Sequence, residues 1–151
     1  MSVRQVVVAV SAERVRTPLS LARIEAAART VLRAERVTEA LLSVTLVSER
    51  RIAALNARHM RHRGATDVIS LAFRRENGQA VIGDMYIAPA VARANARAAG
   101  VGVQEELVRL VVHGVLHVLG HDHPEHGARE QSPMWRRQEA LVGRVMRGSA
   151  P

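Results

Sequence analysis

The stretch Val103-Gln-Glu-Glu-Leu-Val-Arg-Leu-Val-Val-His113-Gly114-Val-Leu-His117-Val-Leu-Gly120-His121-Asp122-His123 decides how this chain is read. Val108, Val111, Val115 and Leu119 recur at helical spacing, so Val103 to Leu119 is predicted as one helix that stops at Gly120. His113 and His117 lie four residues apart and leave the same face of that helix. The face is predicted to lie roughly opposite the apolar stripe. Gly120 lets the chain turn back, which brings His123 toward the first two histidines. Three neutral imidazoles at ~2.0–2.1 Å, with a fourth position left to water, form a catalytic rather than a closed zinc site. Such an ion acidifies its water and polarises a carbonyl or phosphoryl oxygen.

Working outward, the composition supports histidine as the ligand. The chain has 151 residues, no cysteine, 2% aromatics and a net charge of +8. Without cysteine there are no disulfides, thiolate metal sites or cysteine nucleophiles. Five of the seven histidines fall between His113 and His126. Of these, His121 and His126 do not fit the ligand spacing and are expected near the site or on the surface. All 22 basic residues are arginine. Arginine suits bidentate phosphate recognition, although an arginine- and alanine-rich composition also follows from genomic base bias. Phe73, Tyr86 and Trp135 as the full aromatic set argue against a base-stacking platform, so any RNA or DNA would be held mainly by phosphate contacts. The apolar run Val6 to Val10 is too short for a membrane helix or a signal peptide, so a soluble cytoplasmic protein is expected.

The rest of the chain reads as one α+β domain over residues 1–146, with a frayed tail over 147–151. Val3–Val10, Leu41–Val47, Thr66–Phe73 and Gln79–Ile87 are predicted strands. The last two form an antiparallel pair joined at Glu76-Asn77-Gly78. Thr17-Pro18 is the expected start of a helix to Arg36, and Ser48 the cap of a short one. Pro89–Ala98 and Pro133–Val145 complete about five helices. Arg58 to Ala65 reads as a basic loop. The expected architecture is a mixed four-stranded sheet packed with these helices, one of them a zincin-like metal helix.

The H-x3-H-x5-H spacing with a glycine hinge resembles the metzincin ligand pattern. The glutamate that serves as general base in H-E-x-x-H peptidases is replaced by Gly114, which turns the reading toward phosphodiester chemistry. The same motif is similar to H-G-x-L-H-L-x-G-Y-D-H of the YbeY family of zinc-dependent, single-strand-specific endoribonucleases. It matches at His113, Gly114, Leu116, His117, Gly120, Asp122 and His123. Leu55-Asn56 with Thr66-Asp67-Val68-Ile69-Ser70 resembles the family's LN…TDVLSF stretch, and Ile82-Gly83-Asp84-Met85-Tyr86-Ile87 its LGDIVI strand.

The resemblance implies one zinc ion on His113, His117 and His123. It implies cleavage of single-stranded RNA, in small-subunit rRNA 3′-end maturation and ribosome quality control. The implied partners are rRNA and the small ribosomal subunit with its proteins, with no DNA and no membrane. His121 stands at the family's tyrosine, and Leu71-Ala72 interrupts its SFP. The family's arginine after the LN pair falls on Met60, flanked by Arg58, Arg61 and Arg63. Arg61 is therefore expected to take the catalytic role, and all three arginines to bind RNA. Asp122 is expected to orient a ligand imidazole, accept a proton or cap the turn. Asp67 and Asp84 are expected as structural acceptors. The competing readings are a zinc metallopeptidase-like hydrolase and a ribosome-associated binding protein with structural zinc.

Overall fold

Alternating buried and solvent-facing positions build the sheet. A computed structural model describes residues 5–60, 67–73, 80–122 and 132–148 of the chain. In chain order the elements are β1 (Val6–Ala12), α1 (Leu21–Ala34), β2 (Ala40–Leu46), α2 (Glu49–Leu55), β3 (Val68–Ala72), β4 (Val81–Ile87), α3 (Pro89–Ala99), α4 (Val103–Val118) and α5 (Pro133–Gly148). The strand order is β1-β2-β4-β3, with β1, β2 and β4 parallel and β3 antiparallel at the edge. The expected α+β class and mixed four-stranded sheet are therefore correct. Ala40, Leu42, Val44 and Leu46 of β2 and Val81, Met85 and Ile87 of β4 are buried on one face. Helices α1 and α4 pack against the strands, while α3 and α5 pack on α4. On the opposite face, α2 closes a second cluster of Val47, Ile52, Leu55, Ile69 and Ala88.

Several boundaries differ from the sequence reading, each for a local reason. The hydroxyl of Thr17 donates to the carbonyl of Leu19 at 2.8 Å instead of capping a helix. Ser20 caps α1 instead, accepting from the Arg23 amide. Ser48 caps α2 as expected. That helix then continues into a π-helical turn over Asn56–Met60, so the basic segment starts helical rather than as a loop. No glycine or proline lies between Glu49 and Met60 to stop it. Helix α5 runs on to Gly148, past the expected domain end at 146 and into the segment expected to fray. The turn at Glu76-Asn77-Gly78 lies outside the described residues. Among the described residues, no helix is long and apolar enough to cross a membrane.

The placement of α4 rests on two glycines. A Cβ at Gly83 would meet Val118 Cγ1 at 2.7 Å and the Leu71 carbonyl oxygen at 3.3 Å. A Cβ at Gly114 would collide with the Met85 side chain and meet Ser70 Oγ at 3.0 Å. The Ser70 hydroxyl donates to the Gly114 carbonyl at 3.1 Å across this crossing. Gly120, at φ +100°, makes the turn that ends the helix. Gly83→Ala is expected to cost about 1–3 kcal/mol in a denaturant titration, because the β-branched Val118 has few rotamers with which to yield. Adding Val118→Ala should remove part of the clash, giving a double variant less destabilised than the two single losses summed; strict additivity would contradict this crossing.

Candidate active site

Helix α4 is buried on almost every side, which corrects the expectation of a single apolar stripe opposite the histidines. Leu107, Val108, Leu110, Val111, Val112, Gly114, Val115, Leu116 and Val118 are all buried. The cause is position: the helix is covered by α1, α3, α5 and the β3–β4 strands together. Beyond the open start of the helix at Val103 and Gln104, what escapes is one polar row, Glu105, Glu106, Arg109, His113 and His117. His113 and His117 share that row as expected. Their rings stand 4.5 Å apart between centroids in an edge-to-face arrangement with planes at 74°.

A chain of hydrogen bonds from α5 fixes the first imidazole. Arg109 grips the Glu139 carboxylate with two bonds of 2.9 Å. An ionised carboxylate can only accept, so the Gln138 amide turns its Nε2 toward Glu139, donating at 3.1 Å. Its Oε1 then faces Nδ1 of His113 at 2.7 Å. Carbonyl oxygen also only accepts, so Nδ1 carries the proton and the ring's lone pair sits on Nε2. Gln138 is only 2% exposed, which holds this orientation in place.

The electrostatics support the same direction. Burial pushes the Glu139 carboxyl up, but bonds from Arg109 and Gln138 overcome it and leave the group below its ordinary value. Burial wins at Glu106, which stays above its ordinary value despite Arg109. Arg109 is itself held protonated, chiefly by its bonds to Glu139 against the cost of burial. These groups line a cleft of about 840 Å³ with Asp67, Asn95, His113, Trp135 and Gln138.

Asp122 Oδ1 lies 3.9 Å from His117 Nδ1, beyond hydrogen-bond length, and its side chain is 91% exposed. It therefore makes no orienting bond to that ring. His121 bonds Glu35 at the end of α1 at 2.7 Å, and the same carboxylate holds Arg137 of α5 at 2.9 Å. Asp67 accepts from Asn95 at 3.1 Å and Asp84 from Ser43 at 2.7 Å, each a structural acceptor as expected. Arg58 is exposed on the π-helical turn. His123, Arg61 and Arg63 lie outside the described residues, as does His126.

Among the described residues no group of three His, Asp or Glu side chains that could hold a metal ion comes together, and the histidine pair on α4 is the part of the expected donor set that is described. Two imidazoles share one helix face at close range, and one of them has its lone pair oriented on Nε2 by a buried partner. Gly114 bears on the chemistry as well. A side chain there would run into Met85 and Ser70, so the position that carries the peptidase glutamate has no room for one. Gln138, Glu139 and Arg109 went unnoticed in the sequence reading. Arg109 left a trace, one turn before His113, but nothing local links it to residues on another helix.

Comparison with known proteins shows the family of the chain. The model of the family Endoribonuclease YbeY matches residues 9–146. Endoribonuclease YbeY of Frankia alni is 40% identical over 132 residues, covering 80% of this chain and 72% of the relative. That of Acidothermus cellulolyticus is 38% identical over 123 residues, covering 68% and 75%. A Thermotoga maritima protein solved in solution shares the fold, with a TM-score of 0.64 and 24% identity over 94% of this chain and 91% of that one. The chain belongs to the YbeY endoribonuclease family.

Two outcomes test the bonded chain. In metal-free protein, nitrogen-15 NMR should find His113 protonated at Nδ1 in the wild type and should find that preference lost in Gln138→Leu. An Nε2-protonated wild type would contradict the arrangement. Arg109→Met should cost about 1.5–3 kcal/mol near pH 7, the range for hydrogen bonds to charged groups. Glu139 is held below its ordinary value, so its contribution is complete above the unfolded carboxylate pKa and disappears as pH falls through the folded one. The difference between Arg109→Met and wild type should therefore shrink in urea titrations below about pH 4; a constant difference would contradict the pairing.

Proposed function

We propose that the chain is a zinc-dependent endoribonuclease that cuts single-stranded RNA in the cytoplasm. Its work would be the 3′-end maturation of small-subunit rRNA and ribosome quality control, in contact with the small subunit and its proteins. Family membership supports RNA as the substrate. The observation that carries the metal reading is the His113–His117 pair on one face of α4, with the His113 lone pair set by Gln138.

In this reading His113, His117 and His123 would hold one ion, within a single hydrolase domain spanning residues 1–146. When bound, zinc supplies Lewis-acid polarisation of a phosphoryl oxygen and an acidified water. Gln138 keeps the His113 nitrogen aimed and spares the reaction that reorganisation. Arg61 balances the negative charge that develops at the phosphate, with Arg58 and Arg63 holding the flanking backbone. Asp122, exposed and close to His117, accepts the proton that no side chain at position 114 can take. The packed Gly114 weighs against the peptidase alternative.

Purified protein should cleave a single-stranded rRNA fragment. Cleavage should be abolished by His113→Ala and by chelation, and restored in the wild type by one equivalent of zinc. Activity undiminished in both tests would overturn the reading. Zinc-dependent cleavage of casein with RNA untouched would favour the peptidase. One bound zinc with ribosome association and no turnover would favour a binding protein.

A further inference from the structure

Between α1 and α5 runs an open groove of about 820 Å³ lined by Arg23, Arg33, Arg36 and Arg144. None of its lining residues is acidic, and its floor is small: Ala26, Ala27, Thr30 and Ala34. No ion pair links these four guanidinium groups to any described residue. Four arginines outside the groove, Arg29, Arg51, Arg109 and Arg137, each hold a carboxylate. Arginines without an ion pair among the described residues also lie outside the groove, Arg14, Arg50, Arg58 and Arg97 among them, but here four line one surface with no acidic residue in its lining.

The layout identifies the ligand class. Arg23 and Arg33 are ten residues apart on one helix, which at 1.5 Å rise per residue places them about 15 Å apart along its axis. Charge spread along a line fits a run of phosphates better than one phosphate group. The small floor lets a backbone approach closely. The groove also leads toward the histidine motif. Its Ala34–Arg36 end flanks Glu35, which bonds His121, and His121 immediately precedes Asp122 and His123.

We propose that the α1–α5 groove binds the phosphodiester backbone of single-stranded RNA at a distance from the bond being cut, through Arg23, Arg33, Arg36 and Arg144. This rests on RNA being the substrate, and it gives a role to arginines well away from the Arg58–Arg63 segment. The groove contributes affinity for long substrates and no sequence selection, since backbone contacts carry no base information.

The test compares wild type with Arg33→Gln/Arg144→Gln and with the charge-retaining Arg33→Lys/Arg144→Lys. Binding of a labelled 20-nucleotide single-stranded RNA is followed by fluorescence anisotropy in chelator, between 50 and 200 mM salt. Each phosphate contact contributes about −0.7 to the slope of log K against log salt for single strands, so the glutamine pair should make the slope shallower by about 1.4. The lysine pair should keep it. With zinc present, the glutamine pair should raise KM for the 20-mer and leave kcat unchanged. An unaltered slope and KM in a glutamine variant that melts like wild type would overturn the proposal. A wild type that binds RNA but never cleaves it would instead refute the nuclease reading, while the slope still tests the groove.

Discussion

Helix α4 reaches the sheet because Gly83 and Gly114 offer no side chain where the two elements cross. That contact sets the rest of the molecule. A helix pressed this closely onto β3 and β4 and covered by three other helices is driven to be apolar on nearly all sides. The polar groups it keeps must then find partners or face a cleft. Arg109 pairs with Glu105, Glu106 and Glu139, and His113 and His117 occupy the turns that follow. The same close crossing that buries the helix thus isolates two imidazoles on one row. It also closes position 114 to a catalytic carboxylate.

The bonded chain from Arg109 through Glu139 and Gln138 to His113 converts packing into chemistry. Each link has one permissible donor direction once Glu139 is ionised, so the tautomer of an imidazole is decided two residues away from it. Arg109 alone would be a buried charge, and Glu139 alone would be destabilised by burial. Together they form a fixed electrostatic base under the site. A site supported in this way needs little rearrangement when charge develops near it.

Much of this was legible in the sequence, and the limits are instructive. The i, i+4 histidines and the Gly120 turn were readable because both are properties of one helix and its end. The four strands and the antiparallel β3–β4 pair followed from β-branched runs and a short link, whereas the parallel pairing of β1, β2 and β4 became visible only in the sheet. The all-round burial of α4 was not readable, because Val108, Val111 and Val115 look like a stripe until α3, α5 and β3 add their own contacts. The start of α1 was misplaced because Thr17 and Ser20 are both competent caps, and only the local turn at Leu19 chooses between them. Gln138 stayed hidden because its importance lies in a contact across 25 positions of sequence. The arginines of the α1–α5 groove looked like ordinary helix surface for the same reason: two separate helices have to be laid side by side before their charges share a groove.

We propose that the His113–His117 face of α4 presents nitrogen ligands to a single ion. X-ray absorption at the zinc edge of the protein loaded with one equivalent tests it most directly. Three imidazole nitrogen ligands at about 2.0–2.1 Å, with the fourth position taken by a water oxygen, is the expected result. A spectrum of six oxygen ligands, unchanged by His113→Ala, would contradict the account.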